Sequence, residues 1–226
     1  MSVRYFANPS TPGVRDAMRA GLLDMIATPK QGNRVPDGVA WCADNGCFGK
    51  GYPGDDAWLA WLASFSPEQV ARCRFAVAPD VVGQAWATQM RSMPFLPRVR
   101  ALGFPVAYVV QDGARGDRLP WGHFDALFVG GTTDWKLGET ARALVYEAKR
   151  RGLWVHMGRV NSGRRLRYAD AIECDSTDGT FLAYGPDENL PRVESWLRSV
   201  NDQEPLDLGP LSSVRRPRRR VDTLND

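Results

Sequence analysis

The stretch AIECDSTDGT (171–180) sets two carboxylates three positions apart, Asp175 and Asp178, directly after a short apolar run. Other apolar runs end in comparable chemistry: Asp44-Asn45-Gly46, Pro79-Asp80, Gln111-Asp112-Gly113, Gly130-Gly131-Thr132 and Met157-Gly158-Arg159. One ionised Asp can attack an anomeric carbon while a second carboxyl serves as acid or base. An Asp, a Gln carboxamide and a Gly-Gly backbone suit the hydrogen-bonding edge of a purine-like base. Phe48 and Met157 would supply apolar faces for a flat ring. Taken singly, each member is ordinary loop chemistry, since Asp, Asn and Gly form turns and a lone strand-end Asp commonly caps a helix. Taken together they are not, because carboxylates closing several runs around one mouth repel each other, and a purely structural role has little use for that.

Metal chemistry finds less support. The four cysteines, Cys42, Cys47, Cys73 and Cys174, form no C-x-x-C pair, and there are two histidines, His123 and His156. A structural zinc site therefore lacks its ligand spacing, and the thiols are expected free and buried, with no metal and no cofactor. Mg2+ held by the carboxylates alone stays open.

The elements that must position these residues alternate. Apolar or β-branched runs lie at 3–8, 38–44, 74–82, 104–112, 125–131, 153–160 and 171–177. Helical patterns intervene. TPGVRDAMRAGLLDMIA (11–27) has Thr11 as cap and Pro12 at the first helical position. DDAWLAWLASF (55–65) places Trp58, Trp61, Leu62 and Phe65 on one face. GETARALVYEAKRRG (138–152) ends in basic residues and Gly152, a helix stop. Residues 162–171 and 187–200 complete the set. Strand–helix alternation implies βαβ units and a parallel sheet, and continuously apolar runs suit strands buried on both faces. At least seven such repeats predict a single-domain α/β fold, a trimmed (β/α)8 TIM-type barrel over 1–200, with the active site at the C-terminal strand ends. No G-x-G-x-x-G or P-loop follows the first run, which argues against a nucleotide-binding Rossmann domain.

The chain has 226 residues and a net charge of +3, all of it accounted for by the five Arg and two Asp of 214–226. Residues 201–226 thus read as a polar, Arg-rich, disordered tail able to add salt-sensitive affinity for a polyanion. No apolar stretch reaches the ~20 residues of a membrane span. The N-terminal residues carry no signal pattern, so a cytoplasmic location without membrane contact is expected.

In family order, these motifs resemble the tRNA-guanine transglycosylase family and its relatives that place deazaguanines in DNA. The resemblance covers 38–185. ADNGCF is similar to the family's D-S-G-G-[FY], which implies Asp44 as acid/base and Phe48 as a base-stacking residue. APDVVG implies Asp80 as base reader, VVQDG implies Gln111, and VGGT implies base contacts from Gly130 and Gly131. HMG, with Met157 and Gly158, resembles the family's M-G pair, in which Met157 covers the other ring face. DSTD resembles the D-x-x-D that ends in the nucleophile, implying Asp178, with Asp175 as the alternative alignment. The implied activity is exchange of a guanine-type base in nucleic acid for a 7-deazaguanine through a covalent Asp-glycosyl intermediate. Arg159, Arg164 and Arg165 would meet phosphates. The family's zinc subdomain is missing, and Asn45 and Cys47 replace the usual Ser and Gly. That leaves DNA and tRNA both open as substrate, and a homodimer or helper subunit as a source of docking surface. Two other readings stand beside this one: an N-glycosidase in which water takes the sugar, and a non-catalytic barrel adaptor binding nucleic acid through its basic tail.

Overall fold

The structure is a computed structural model in which residues 3–49 and 51–202 are described. Each apolar run forms a strand, and an eighth strand lies among them. In chain order the elements are β1 (Arg4–Ala7), α1 (Pro12–Arg19), β2 (Asp24–Ala27), β3 (Trp41–Ala43), α2 (Asp55–Ala63), α3 (Pro67–Arg72), β4 (Cys73–Val77), α4 (Ala85–Ser92) and α5 (Phe95–Ala101). There follow β5 (Val106–Val110), β6 (Ala126–Val129), α6 (Thr133–Lys136), α7 (Glu139–Arg150), β7 (Trp154–Met157), α8 (Gly163–Ala171), β8 (Ser176–Asp178) and α9 (Pro186–Asn201). The strands pair in parallel in sequence order, and β1 closes onto β8 with Phe6 opposite Asp178. This is the (β/α)8 barrel, with trimmed crossovers: β2–β3 carries a single 3-10 turn at Pro29–Gln31, and β5–β6 carries two, Gly116–Arg118 and Trp121–His123.

The pattern over 11–27 is not one helix. Thr11 does cap α1 by accepting from the Val14 N–H, but α1 stops at Arg19. Gly21 then turns the chain at φ +76°, a conformation glycine enters without penalty. The remaining DMIA becomes β2, inserted between β1 and β3. The Arg-rich tail, from residue 203 on, lies outside the described residues. Among the described residues no helix is long and apolar enough to cross a membrane, and the four cysteines are free, three of them buried.

Side-chain alternation along the strands sorts the core into two bodies. Phe6, Cys42, Phe75, Val77, Ala107, Val109, Ala126 and Phe128 fill the barrel interior, with Ile26 and Trp154 packed against them. The residues between them, Tyr5, Met25, Trp41, Ala76, Tyr108, Leu127, Val155 and Met157, face the helices. On β7 and β8 the inward positions are polar: His156, Ser176 and Asp178 continue the parity of Trp154. The barrel interior is therefore apolar around most of its circumference, with hydrogen-bonded polar side chains along the β7–β8 seam and an Arg4–Asp24 pair at the start of β1 and β2.

Candidate active site

The C-terminal strand ends surround a cavity of about 680 Å³ lined by Asp44, Phe48, Asp80, Gln111, Gly130, Gly131, Gly158, Arg159, Arg165 and Asp178, among others. Of the residues expected from sequence, these ten are brought together. Three are not. Met157 follows inward-facing His156 on β7, so its side chain turns outward and is fully buried under the helices, unable to cover a ring in the mouth. Asp175 lies three residues before Asp178, an odd step on a strand, and stands at the opposite, N-terminal end of the barrel. There Lys149 Nζ (2.6 Å) and the Val155 N–H (2.7 Å) donate to its carboxylate. Arg164 is exposed on α8 and does not line the cavity.

Asp178 forms the floor. His156 Nε2 is 2.9 Å from Oδ2, and the Arg159 N–H donates to Oδ1 at 2.9 Å. Burial alone would raise the carboxyl's pKa. His156, through its hydrogen bond and the charge its ring carries when protonated, then the Arg159 N–H bond and the nearby Lys136 charge outweigh it and hold Asp178 below the usual carboxylate range. Arg159 delivers its N–H from a left-handed conformation, φ 59°, uncommon for a residue with a side chain. Gly158 before it is required by space: a Cβ there would lie 2.7 Å from Phe128 Cε1.

Asp44, at the end of β3, behaves oppositely. Burial pushes its pKa up to about 7, the Gly46 N–H bond partly offsets this, and the negative charges of Asp178 and Asp80 add to the rise. The Asp44-Asn45-Gly46 turn holds it: the Gly46 N–H donates to Asp44 Oδ1 at 2.6 Å and the Cys47 N–H to Asn45 Oδ1 at 2.7 Å, with Gly46 at φ +75°.

Asp80, Asn45 and Gln111 form one network. Asn45 Nδ2 donates to Asp80 Oδ1 (3.0 Å) and Gln111 Nε2 to Asp80 Oδ2 (2.6 Å). Gln111 Oε1 accepts from the Gly83 (3.0 Å) and Gly131 (2.8 Å) N–H groups. The Gln111 amide is thereby fixed in orientation, with one Nε2 hydrogen left for a ligand. Burial raises the Asp80 pKa despite its two amide partners. Gly130 makes room for this amide, since a Cβ would stand 3.0 Å from Gln111 Nε2. At the rim, Phe48 is 64% exposed and carries the Arg159 guanidinium 4.4 Å above its ring. Arg159 also donates to the Gly131 carbonyl. Lys30 and Arg165 add positive charge to the same rim.

Sequence reasoning passed over two residues here. The sequence singles out His156 only as a possible zinc ligand; its parity with Trp154 shows its inward direction once the barrel places that residue. Lys136 gives no sequence signal. It is buried on α6, Nζ donates to the Gly158 carbonyl at 2.6 Å, and burial with the Arg159 charge lowers its pKa to about 8. Among the described residues no group of His, Cys, Asp and Glu side chains is arranged to hold a metal ion.

No family model matches the chain, and no curated protein matches it. Solved structures do. The tryptophan synthase alpha subunit of Legionella pneumophila aligns with TM-score 0.53 at 10% identity, over 89% of this chain and 94% of that one. An M. tuberculosis tryptophan synthase chain aligns with TM-score 0.53 at 13% identity, covering 88% and 91%. A 4-hydroxy-2-oxoglutarate aldolase gives TM-score 0.52 at 13% identity, covering 88% and 92%. The chain spans 65% of the length of a further tryptophan synthase chain it matches. At such identities the likeness is one of fold, and the fold shared is the TIM barrel.

Proposed function

We propose that the mouth is the active site of a transglycosylase that exchanges a guanine-type base in nucleic acid for a 7-deazaguanine. One observation carries this reading: two carboxyls facing one cavity have their pKa values driven apart, Asp178 down and Asp44 up to about 7. A pair split in this way assigns an anionic nucleophile and a proton-carrying partner. Asp178 attacks C1′, and the C1′–N9 bond breaks with its electron pair on the departing base, which takes a proton from Asp44. The incoming base then gives its N–H proton to ionised Asp44, and its nitrogen attacks C1′. The ester C1′–O bond breaks and Asp178 is an anion again. Asp80, Gln111 and the Gly130-Gly131 backbone suit the polar edge of the base, and Phe48 suits one face. A duplex substrate has to release its target base from the stack first. Lys30, Arg159 and Arg165 suit the adjoining phosphates.

A Schiff-base reaction with a carbonyl substrate, which an aldolase-like barrel brings to mind, is less well supported. Lys136 is 1% exposed, does not line the cavity, and has its Nζ committed to a backbone carbonyl. The deciding experiment mixes the protein with guanine-containing DNA oligonucleotide or tRNA, then denatures it and measures intact mass. An added nucleic-acid mass on wild type, absent in Asp178→Asn, is expected; its absence with both nucleic acids, or its persistence in the variant, refutes the reading. Labelled guanine separates exchange from hydrolysis, since only exchange incorporates label.

A further inference from the structure

The polar seam inside the barrel has a direction. Trp154 Nε1–H, a donor only, points at Ser176 Oγ at 2.8 Å. Ser176 Oγ in turn lies 2.8 Å from His156 Nδ1, and His156 Nε2 lies 2.9 Å from Asp178 Oδ2. Because Ser176 already accepts from Trp154 and makes no third hydrogen bond among the described residues, its own hydrogen goes to Nδ1. Nδ1 is then an acceptor and the single ring proton sits on Nε2, facing the carboxylate. The ring is boxed by Phe128, Phe75 and Phe6 at centroid distances of 4.6, 5.1 and 5.7 Å. An imidazolium there would aim a second N–H at a serine whose hydroxyl hydrogen would then have no acceptor, a costly arrangement in an apolar box.

We propose that His156 is a positioning residue for Asp178, locked by Ser176 and Trp154 as the neutral Nε2–H tautomer. A neutral donor orients the carboxylate and leaves its full negative charge for a developing cationic sugar carbon, while the Arg159 N–H fixes the other oxygen. The catalytic meaning rests on Asp178 being the nucleophile; the tautomer does not. Titratable groups around this seam are Asp178 on β8, Asp44 and Cys42 on β3, Tyr5 on β1 and Lys136 on α6. Nitrogen-15 NMR of the full chain labelled at histidine reads the tautomer directly, with exposed His123 as internal reference. Expected for His156 is an acceptor-type Nδ1 and a protonated Nε2. Ser176→Ala, which removes the hydrogen donated to Nδ1, should release it to exchange tautomers. An imidazolium or an Nδ1–H tautomer in the wild type overturns the proposal. In adduct formation, His156→Phe should slow the step by about 10- to 100-fold, the loss of one hydrogen bond to a charged group, with KM little changed. Its acidic limb should move to higher pH, and His156→Gln, which keeps a donor, should recover part of the rate. An unchanged acidic limb refutes positioning. Wild type that forms no adduct with either nucleic acid refutes the transglycosylase reading instead, and leaves the NMR result to decide the tautomer.

Discussion

The two ends of the barrel treat carboxylates in opposite ways. At the N-terminal end each strand-start Asp finds a cation. Asp24 meets Arg4 at 2.5 Å, Asp125 meets Arg100 at 2.7 Å, and Asp175 meets Lys149 at 2.6 Å. Asp125 and Asp175 repeat one device, each also accepting a strand N–H, from Val106 and Val155. At the C-terminal end, Asp44, Asp80 and Asp178 sit together with no Lys or Arg ion pair among the described residues, held by amides, backbone N–H groups and one imidazole. The bottom carboxylates are spent on holding strands in register. At the mouth, Asp44 and Asp80 stand against burial, and Asp44 also against the charges of its neighbours, a cost that structure alone does not require and that a reaction centre would.

Substitutions at the two ends should therefore fail in different ways. Asp178→Asn should lower adduct formation by on the order of 10⁴-fold, as loss of a nucleophile does, with only a modest fall in the thermal midpoint, because a carboxylate held below its usual range favours the folded state. Intact-mass kinetics and a melting curve together check it, and a matching loss of stability would erase the contrast between the ends. Asp44→Asn comes next. With its pKa near 7 in the folded protein and near 4 unfolded, the native state binds more protons over that interval, so Asp44 makes stability fall as pH rises from about 4 to 7. The variant should lose that slope and gain up to about 4 kcal/mol above pH 7, at ~1.4 kcal/mol per pH unit over about three units. It should also lose the limb of the rate profile near pH 7. Denaturant titrations across that interval measure the first, and a slope equal to wild type would remove Asp44 from the role. Asp175→Asn should do the reverse: about 1.5–3 kcal/mol of stability lost with Lys149 left unpaired, and adduct formation per folded molecule unchanged.

The same contrast marks how far the sequence could be read. The barrel was legible because continuous apolar runs separated by helical patterns leave few alternatives. Strand β2 was missed because DMIA continues the apolar period of α1, and the break at Gly21 is a single residue. At the site, spacing along a strand held more information than residue type. Asp175 and Asp178 differ by an odd step and so cannot share a face, and Met157 cannot point inward if His156 does. That parity was available in the sequence, but it needs one anchored inward residue, and the apolar strands offer none because both of their faces are buried. Lys136 and the Asn45–Asp80–Gln111 network were beyond sequence reasoning. Their partners come from different strands and meet only once the barrel closes.

The smallest effect tests the rim, where the mouth grades into ordinary surface. Phe48 is two-thirds exposed and touches Arg159 rather than the core, so its ring contributes little to folding. In Phe48→Leu the melting temperature should hold, because little buried area is lost. If the ring is one face of a base slot, the variant loses an aromatic contact worth about 0.5–1.5 kcal/mol, so KM for the incoming base should rise by roughly 2- to 10-fold. The rate at saturation should stay near wild type, because a ring that stacks on the base would bind ground and transition states alike. Steady-state kinetics with varied guanine read this split. A fall in kcat at constant KM would place Phe48 with the reacting groups, and no change in either would confine the site to the cluster beneath the rim.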